Sequence, residues 1–360
     1  MSNKIMAVLA AATATALLTV AGCTVDRGAV PADGQGGGKK QTFGRNVQLF
    51  DAHRKVHESM KGKRIAFVPI LYKGYNLTQN WGSTMERAFG NLGADFEVYD
   101  ANFDTDKMVK IINDLISRRA VDVLILHNPD VGVLTQQIDA AERAGIYTIV
   151  VNMVSGRLGD AFIGVDAVHA AEDVTRRAVR DCAERGGPQR MAVIDGPGND
   201  AASVQWSKGV HNVLDPAGYE VVTTAHTQWQ NAVAQQAASS ITQQRRNGIC
   251  GYLVAYDLNA IAVGDAVADA VRRRVIRPDS IGVYTMAADA RWCDALRKGR
   301  VTASAAYDVQ GVGEAAVVTA QQLVQAGAPA GTSHTVAYVS HTVVDRDNAD
   351  TTTIACYQGR

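Results

Sequence analysis

Residues 191–201 read MAVIDGPGNDA, an apolar run followed by glycines at 196 and 198 and by an alanine where a helix is expected to begin. The spacing matches G-x-G-x-x-A after a strand, the pattern of a turn that binds dinucleotide phosphates. A dinucleotide site requires this turn in the first strand–helix–strand unit and an acidic residue at the end of the next strand. Here the turn lies in the second half of the chain, and the next strand ends in Ala225 and His226.

Two residues of the turn also argue against a bound phosphate. Pro197 lacks a backbone N–H donor, and the carboxylate of Asp200 stands where an anion would need neutral donors. We therefore interpret Asp200 as the N-terminal cap of the following helix. The sequence motifs of serine hydrolases, zinc proteases and P-loop enzymes are absent as well. These observations favour a binding protein that is not an enzyme and that uses no cofactor and no metal.

Apolar strands alternate with amphipathic helices on both sides of the loop. RIAFVPI (64–70), VDVLILH (121–127) and IYTIVV (146–151) are typical of buried strands, and the alternation restarts after AFIGVD (161–166). Near-continuous Val, Ile and Leu strands separated by helices indicate parallel sheets covered on both faces. The sequence therefore predicts an α/β fold of two Rossmann-like lobes, with a cleft where the carboxyl ends of the strands face each other.

The charge balance excludes nucleic acid as a partner. Lys and Arg total 36 and Asp and Glu total 36, and the longest basic cluster is that of residues 272–274. A protein that binds nucleic acid normally carries a basic patch for the phosphates. A chain of 360 residues is also long enough for two ordinary cores.

The first residues predict an export signal. Lys4 is followed by an apolar stretch over 5–21, which is short for a transmembrane helix of about 20 residues and ends in small residues. An uncleaved anchor is the alternative. The sequence LTVAGC resembles a bacterial lipobox, which makes residues 1–22 a lipoprotein signal peptide and Cys23 the lipidated N-terminus.

A tether is expected after the lipidated cysteine. Residues 24–42 are glycine-rich and show no apolar periodicity, which is typical of flexible chain. We expect the tether to extend over 23–62 and to hold the protein on the outer, extracytoplasmic face of the cell membrane. Export places the other four cysteines in an oxidising compartment, where they can form disulfides in three possible pairings. Their spacing in the sequence is not that of metal ligands. They are Cys182, Cys250, Cys293 and Cys356.

Several segments in order resemble a known family. They include AGIYTIVVN, IGVD, GPGNDAASVQWSKGV, LVAYDLNAIAVGDAV and VVDRDNAD. Together they resemble the ribose-binding branch of the type I periplasmic sugar-binding proteins of ABC importers, over roughly residues 63–350. The resemblance implies a three-strand hinge, with residues 63–165 plus 308–340 in lobe 1 and residues 166–307 plus 341–360 in lobe 2. On that topology the four cysteines lie in lobe 2, and a bridge between Cys293 and Cys356 is expected.

The resemblance also implies a set of ligand-binding positions, which are aromatic or polar in this chain. They are Tyr75, Asn76, Gln79, Asn152, Trp206, Trp229, Tyr256, Asp257 and Tyr307. The family's Asp-Arg pair after the fourth strand is replaced here by Asn152 and Met153. The expected cleft thus keeps aromatic walls, which suit the C–H faces of a sugar or polyol and also an alkylammonium group, and loses most of its charges.

The function implied by the resemblance is capture of a small neutral ligand, a sugar or polyol, and its delivery to an ABC permease with a separate ATPase. Such a protein acts as a monomer and closes about a hinge. The alternative is a sensor component that presents a ligand, either a sugar or a non-sugar such as an amine, to a membrane kinase or chemoreceptor. An exported α/β enzyme is the third hypothesis.

Overall fold

Two sheets of six strands each form the centre of the computed structural model, which describes residues 49–287 and 291–352. The predicted signal peptide 1–22, Cys23 and Cys356 lie outside the described residues. The elements of the first sheet and its helices are, in chain order, α1 (Leu49–Met60), β1 (Arg64–Pro69), α2 (Asn76–Asn91), β2 (Asp95–Val98), α3 (Thr105–Ser117), β3 (Val123–His127), α4 (Thr135–Arg143), β4 (Tyr147–Val151) and β5 (Ala161–Val165).

The second half of the chain repeats the alternation. Its elements are α5 (Ala167–Glu184), β6 (Arg190–Asp195), α6 (Ala201–Leu214), β7 (Glu220–His226), α7 (Asn231–Arg245), a short 3-10 turn (Arg246–Gly248), β8 (Gly251–Val254), α8 (Asp257–Arg272), β9 (Gly282–Ala287), α9 (Arg291–Arg297), β10 (Ala303–Tyr307), α10 (Val309–Ala326), β11 (Thr335–Val339) and β12 (His341–Val344).

The strand order shows two lobes of an α/β fold, as the sequence predicts. The first sheet has the order β11-β5-β4-β3-β1-β2 and the second has the order β12-β10-β9-β8-β6-β7. All residues of the strands β3, β5, β8 and β10 are buried, because helices cover both faces of a parallel sheet. Only the pairing of β10 with β12, from Ser304 opposite Val344 to Tyr307 opposite His341, is antiparallel among the described strands.

The chain passes three times from one sheet to the other. It leaves the first sheet after β5, returns through α10, which packs against α2, and leaves again between β11 and β12. Aspartates mark two of these passages, because the carboxylates of Asp166 and Asp308 cap α5 and α10 by accepting from the N–H groups of His169 and Gly311.

The final apolar stretch divides between the two sheets, and its own residue pattern does not mark the division. VAYVSHTVV is interrupted at Ser340, whose carbonyl accepts a hydrogen bond of 3.0 Å from the N–H of Asp308. Residues before Ser340 pair with β5 in parallel, and residues after it pair with β10. The same apolar run therefore supplies one edge strand to each lobe.

The predicted tether over 23–62 is wrong at its C-terminal end. Residues 49–60 form helix α1, which packs against α10. Val56 is half-buried and Met60, one turn later on the same face, is fully buried. The glycine-rich composition on which the tether prediction rests ends at residue 42, so it carried no information on this helix.

A disulfide joins Cys182 at the end of α5 to Cys250 before β8, with a Cα–Cα distance of 5.8 Å. This is one of the pairings that the sequence left open. Cys293 is also disulfide-bonded, and its expected partner Cys356 lies outside the described residues.

Candidate ligand-binding cleft

A cavity of about 660 Å³ lies between the two sheets, at the carboxyl ends of their strands. Ligands of open α/β sheets bind at this edge, since loops from successive strands converge there. Both lobes contribute to the wall. The first contributes Ile70, Leu71, Tyr75, Leu77, Phe103, Thr105, His127, Pro129, Asn152, Met153 and Val165, and the second contributes Ala167, Pro197, Asp200, Ala202, Gln205, Gln228, Trp229, Gln230, Ala255, Tyr256, Asp257, Met286 and Tyr307.

Trp229 and Tyr256 form an aromatic wall on the second lobe. Their ring centroids are 5.8 Å apart and their planes are nearly perpendicular at 83°, an edge-to-face arrangement that aromatic quadrupoles favour. Trp229 has a positive φ of 59°, a conformation that is uncommon for a bulky residue. A Cβ at Gly196 would overlap three atoms of the indole, so glycine at 196 is what allows the ring to lie against the loop.

Several N–H donors of this loop and of the helix start are already engaged. Asp200 Oδ1 accepts hydrogen bonds from the N–H groups of Ala202 at 2.7 Å and Ser203 at 3.3 Å, which confirms the predicted cap. Ser203 Oγ in turn accepts from the N–H of Gly196 at 3.0 Å. The second oxygen of Asp200 accepts from Trp229 Nε1 at 3.3 Å. The loop therefore holds an indole, and a carboxylate occupies the N-terminus of α6, where a phosphate would bind.

Burial raises the pKa of Asp200 to about 6, because removing the carboxylate from water disfavours its charged form. The hydrogen bonds from the helix N-terminus and the indole oppose that rise, and the nearby Asp130 carboxylate adds to it. Asp200 is thus a weakly acidic group in the wall of the cavity.

Asn152 and Tyr307 lie next to each other in the wall although they are distant in sequence. Asn152 follows β4 with a φ of 66°, which asparagine tolerates. The Tyr307 hydroxyl, at the end of β10, donates a hydrogen bond of 3.4 Å to Asn152 Oδ1. Burial, then the charges of Asp257 and Tyr256, raises the pKa of Tyr307, so its hydroxyl keeps its proton. Asp257 is 1 % exposed and begins α8, where the helix N-terminus stabilises its charge.

His127, at the end of β3, is a neutral residue of the first lobe. Burial lowers the pKa of this imidazole to about 4, because a charged ring would be removed from water. The ring packs edge-on against Trp81 with centroids 5.4 Å apart. Both ring nitrogens are buried and have no hydrogen-bond partner in the structure.

One hydrogen bond joins loops of the two lobes beside the cavity. Asn199, just before α6, donates from Nδ2 to Asp130 Oδ2 at 2.8 Å. Asp130 follows β3, and its other oxygen accepts from the N–H of Gly132 at 2.8 Å. The side chain of Asp130 is thereby oriented toward the opposite lobe.

Six of the nine predicted ligand positions line the cavity and three do not. The six are Tyr75, Asn152, Trp229, Tyr256, Asp257 and Tyr307. Asn76 is exposed at the start of α2, and Gln79 lies one turn further along, outside the lining. The placement of Trp206 in the cleft is wrong, because its side chain is fully buried in the core with an unpartnered Nε1. It lies within α6, where a ring on the inward face is buried.

Sequence reasoning missed several lining residues. Asp200 was interpreted as a cap only, although its second oxygen reaches the cavity wall. His127 ends a predicted strand, and that position is the one signal by which it could have been found. Phe103 and Gln228 lie in loops without a pattern that would distinguish them.

Neither a metal-binding cluster nor a helix suited to crossing a bilayer occurs among the described residues. Over 49–287 and 291–352, no group of three or more His, Cys, Asp or Glu side chains has the arrangement of a metal site. In the same residues, none of the helices has the length and apolarity needed to cross a bilayer.

Two α/β lobes with a cavity between their strand ends define a two-lobed binding protein. The chain belongs to the periplasmic binding protein domain family, whose model matches residues 65–329. That family consists of extracytoplasmic binding proteins rather than enzymes. A comparison with curated proteins finds no match.

Solved structures share the fold at low sequence identity. A carbohydrate transporter solute-binding protein from Agrobacterium radiobacter in complex with D-arabinose is 14 % identical, with a TM-score of 0.71 over 81 % of this chain and 96 % of that one. A Burkholderia graminis ABC transporter solute-binding protein, also with D-arabinose, is 19 % identical, with a TM-score of 0.70 over 82 % and 99 % of the two chains. A Mycobacterium smegmatis solute-binding protein with bound glycerol is 21 % identical, with a TM-score of 0.69 over 82 % and 99 %.

Proposed function

We propose that this protein is the solute-binding component of an ABC importer and that it captures a small neutral sugar or polyol between its lobes. The observation that carries the proposal is the cavity at the strand ends, with an aromatic wall beside hydrogen-bonding side chains. Aromatic faces pack against the C–H faces of a sugar, and amide and carboxylate oxygens accept from its hydroxyls. The solved relatives bind arabinose and glycerol, which are of that class.

Six residues are proposed to contact the ligand, and each has a role that follows from its geometry. Trp229 and Tyr256 stack on the apolar face of the ring. Asp257 accepts hydrogen bonds from hydroxyl groups, and Asn152 donates to or accepts from them. Tyr307 fixes the orientation of Asn152 through their shared hydrogen bond. Tyr75 is proposed to contact the ligand from the first-lobe side of the cavity.

Closure of the lobes is the proposed mechanism. The boundaries proposed are 63–165 plus 308–340 for one lobe and 166–307 plus 341–360 for the other, joined at the three chain passages. A ligand that contacts both lobes stabilises the closed form over the open one. The Asp130–Asn199 hydrogen bond belongs to the closed form. The protein itself is proposed to catalyse no reaction and to act as a monomer, with the ATPase and the permease on other chains.

The experiment uses the fluorescence of a single reporter. Of the four tryptophans, Trp81, Trp206 and Trp292 are fully buried, so only the half-buried Trp229 faces the cavity. A pentose, hexose or polyol that binds should change the emission of the wild-type protein and raise its melting temperature. Trp229→Phe should lose the emission change. Absence of any response, to either readout and for all compounds of these classes, contradicts the proposed ligand class.

Anchoring through Cys23 is proposed from the LTVAGC sequence and the glycine-rich stretch after it. Two acyl chains on one cysteine suffice for stable membrane attachment. Cys23→Ala should therefore release the protein from the detergent phase, while Gln35→Ala, which lies in the glycine-rich stretch and leaves the lipobox intact, should not. Membrane retention of the Cys23→Ala variant would indicate an uncleaved apolar anchor.

A further inference from the structure

The two sides of the cavity differ in chemistry. The first-lobe side carries mostly apolar side chains, among them Ile70, Leu77 and Met153. Within the described ranges, no Asp, Glu, Lys or Arg of this lobe lines the cavity. A ligand placed here meets a predominantly hydrocarbon surface.

Polar residues are few on this side of the cavity, and Asn152 among them is proposed to bind a ligand hydroxyl group. The ring nitrogens of His127 are both buried beneath the surface, and the ring itself packs on Trp81. Asn152 Oδ1 already accepts from Tyr307. The hydroxyl of Thr105 adds a neutral group at the start of α3.

The second-lobe side concentrates the hydrogen-bonding groups. Its lining includes the carboxylates of Asp200 and Asp257 and the amides of Gln205, Gln228 and Gln230. Both carboxylates lie at helix N-termini. Hydroxyl groups of a ligand are therefore expected on this side.

Phe103 is an exposed aromatic residue in the wall of the cavity. Its side chain is 62 % exposed, which is unusual for a large apolar residue, and it comes from the first lobe between β2 and α3. Its φ is 61°, and its N–H donates to the carbonyl of Ile70 at 2.6 Å. A bulky residue held in this conformation, with its ring in water, is an outlier that indicates a functional role.

The volume of the cavity exceeds what a monosaccharide needs. About 660 Å³ corresponds to roughly 20 water molecules at about 30 Å³ each, whereas a hexose has about a dozen non-hydrogen atoms. In this arrangement of the lobes a bound sugar therefore leaves space in the cavity, and the apolar first-lobe side borders that space.

We infer that the ligand is an amphiphile of the glycoside type, with its hydroxylated head against the second lobe and an apolar alkyl or aryl substituent against the first, in contact with Phe103. The inference rests on the proposed function, because it takes the head group to be a sugar or polyol. Burying one aryl group against an apolar wall strengthens binding by roughly ten- to a hundredfold.

The test compares matched pairs of compounds by isothermal titration calorimetry on the full mature chain. The pairs are D-arabinose and phenyl arabinoside, D-fucose and phenyl fucoside, D-glucose and phenyl glucoside, and glycerol and its phenyl ether. In at least one pair the phenyl compound should bind about tenfold or more tightly than its parent. Equal or weaker binding of the phenyl member in every pair whose parent binds would overturn the inference and leave the proposed function intact.

Three single-residue variants test whether the apolar substituent of the ligand lies against the first lobe. Phe103→Ala keeps a Cβ and so leaves the backbone strain unchanged; it should lower affinity for the phenyl compound about tenfold and change affinity for the parent by less than about twofold. Tyr338→Ala removes another exposed aromatic ring, 55 % exposed and outside the cavity, and should change neither affinity. Gln205→Ala, on the second lobe, should weaken parent and phenyl compound by the same factor.

Each remaining outcome has a separate meaning. If no parent and no phenyl compound binds, the proposed sugar or polyol class is wrong, and the inference falls with it. If the phenyl compounds bind more tightly but Phe103→Ala and Tyr338→Ala behave alike, the placement of the substituent on the first lobe is overturned.

Discussion

Replacing Trp206 and Trp229 separately by alanine tests which of the two tryptophans belongs to the cleft. Trp206 is fully buried in the core that α6 shares with α5. Removing a buried tryptophan costs the transfer energy of the ring and leaves a cavity, so Trp206→Ala should lower the free energy of unfolding by about 3–5 kcal/mol. The affinity of the folded fraction for its ligand should be unchanged.

For Trp229→Ala we expect the opposite result, a large loss of ligand affinity and a small loss of stability. Its side chain is half-buried and faces the cavity, so Trp229→Ala removes a stacking surface at a smaller cost in stability. We expect affinity to fall by roughly ten- to a hundredfold, which corresponds to about 1–3 kcal/mol.

Urea unfolding followed by far-UV circular dichroism measures the free energy of unfolding. Titration calorimetry with the compound identified by the fluorescence experiment measures the ligand affinity. Trp206→Phe and Trp229→Phe are the controls, since each keeps a ring and should recover most of the corresponding loss. A Trp206→Ala protein with wild-type stability and weakened binding, or a Trp229→Ala protein with wild-type affinity, would refute the assignment of the two side chains.

Three further predictions concern the loop, a buried acid and the disulfide. Gly196→Ala should lower ligand affinity at least about tenfold in calorimetry, because the new Cβ overlaps the indole of Trp229; unchanged affinity would contradict the packing argument. The pKa of Asp200 is raised to about 6 in the fold, so stability should fall as pH rises from about 4 to about 6, by at most about 3 kcal/mol. Asp200→Asn should remove this decline in urea unfolding curves, since asparagine caps helices as well as aspartate, and an unchanged pH profile would show that the carboxylate does not titrate there. Replacing Cys182 and Cys250 together by alanine should cost about 2–4 kcal/mol of unfolding free energy, because the bridge closes a loop of 68 residues; a loss under about 1 kcal/mol in non-reducing unfolding would contradict it.

Local sequence patterns were sufficient to predict the alternation of strands and helices. Helix α6 begins at the predicted residue, Ala201, since Asp200 caps it. Pairing between distant segments was not predictable in the same way. The division of VAYVSHTVV at Ser340 depends on which strands stand next to each half in space, so a lobe boundary there came from the family resemblance and not from the residue pattern.

The candidate site, too, could be predicted only in part from the sequence. The family resemblance placed Asn152, Tyr256 and Tyr307 in the cleft, and all three lie at or just after strand ends, which converge there. Trp206 was misplaced because a helix presents residues to both the core and the cleft, and the sequence alone does not distinguish the two faces. Phe103 was not found because only its position and exposure in three dimensions make it unusual.

The glycine-rich loop at 196–200 explains why a binding protein can carry a dinucleotide-like spacing. The G-x-G-x-x-A pattern selects a tight turn, a close approach to the backbone and a helix start. In this protein the group that approaches the backbone at Gly196 is the indole of Trp229, and Asp200 caps the helix and accepts from the same indole. The glycine and the acid thus act together to hold one aromatic ring at the cavity wall. An acidic cap that would repel a phosphate is compatible with a neutral ligand, so the residue that excludes nucleotide binding also supports the ring that we propose contacts a sugar.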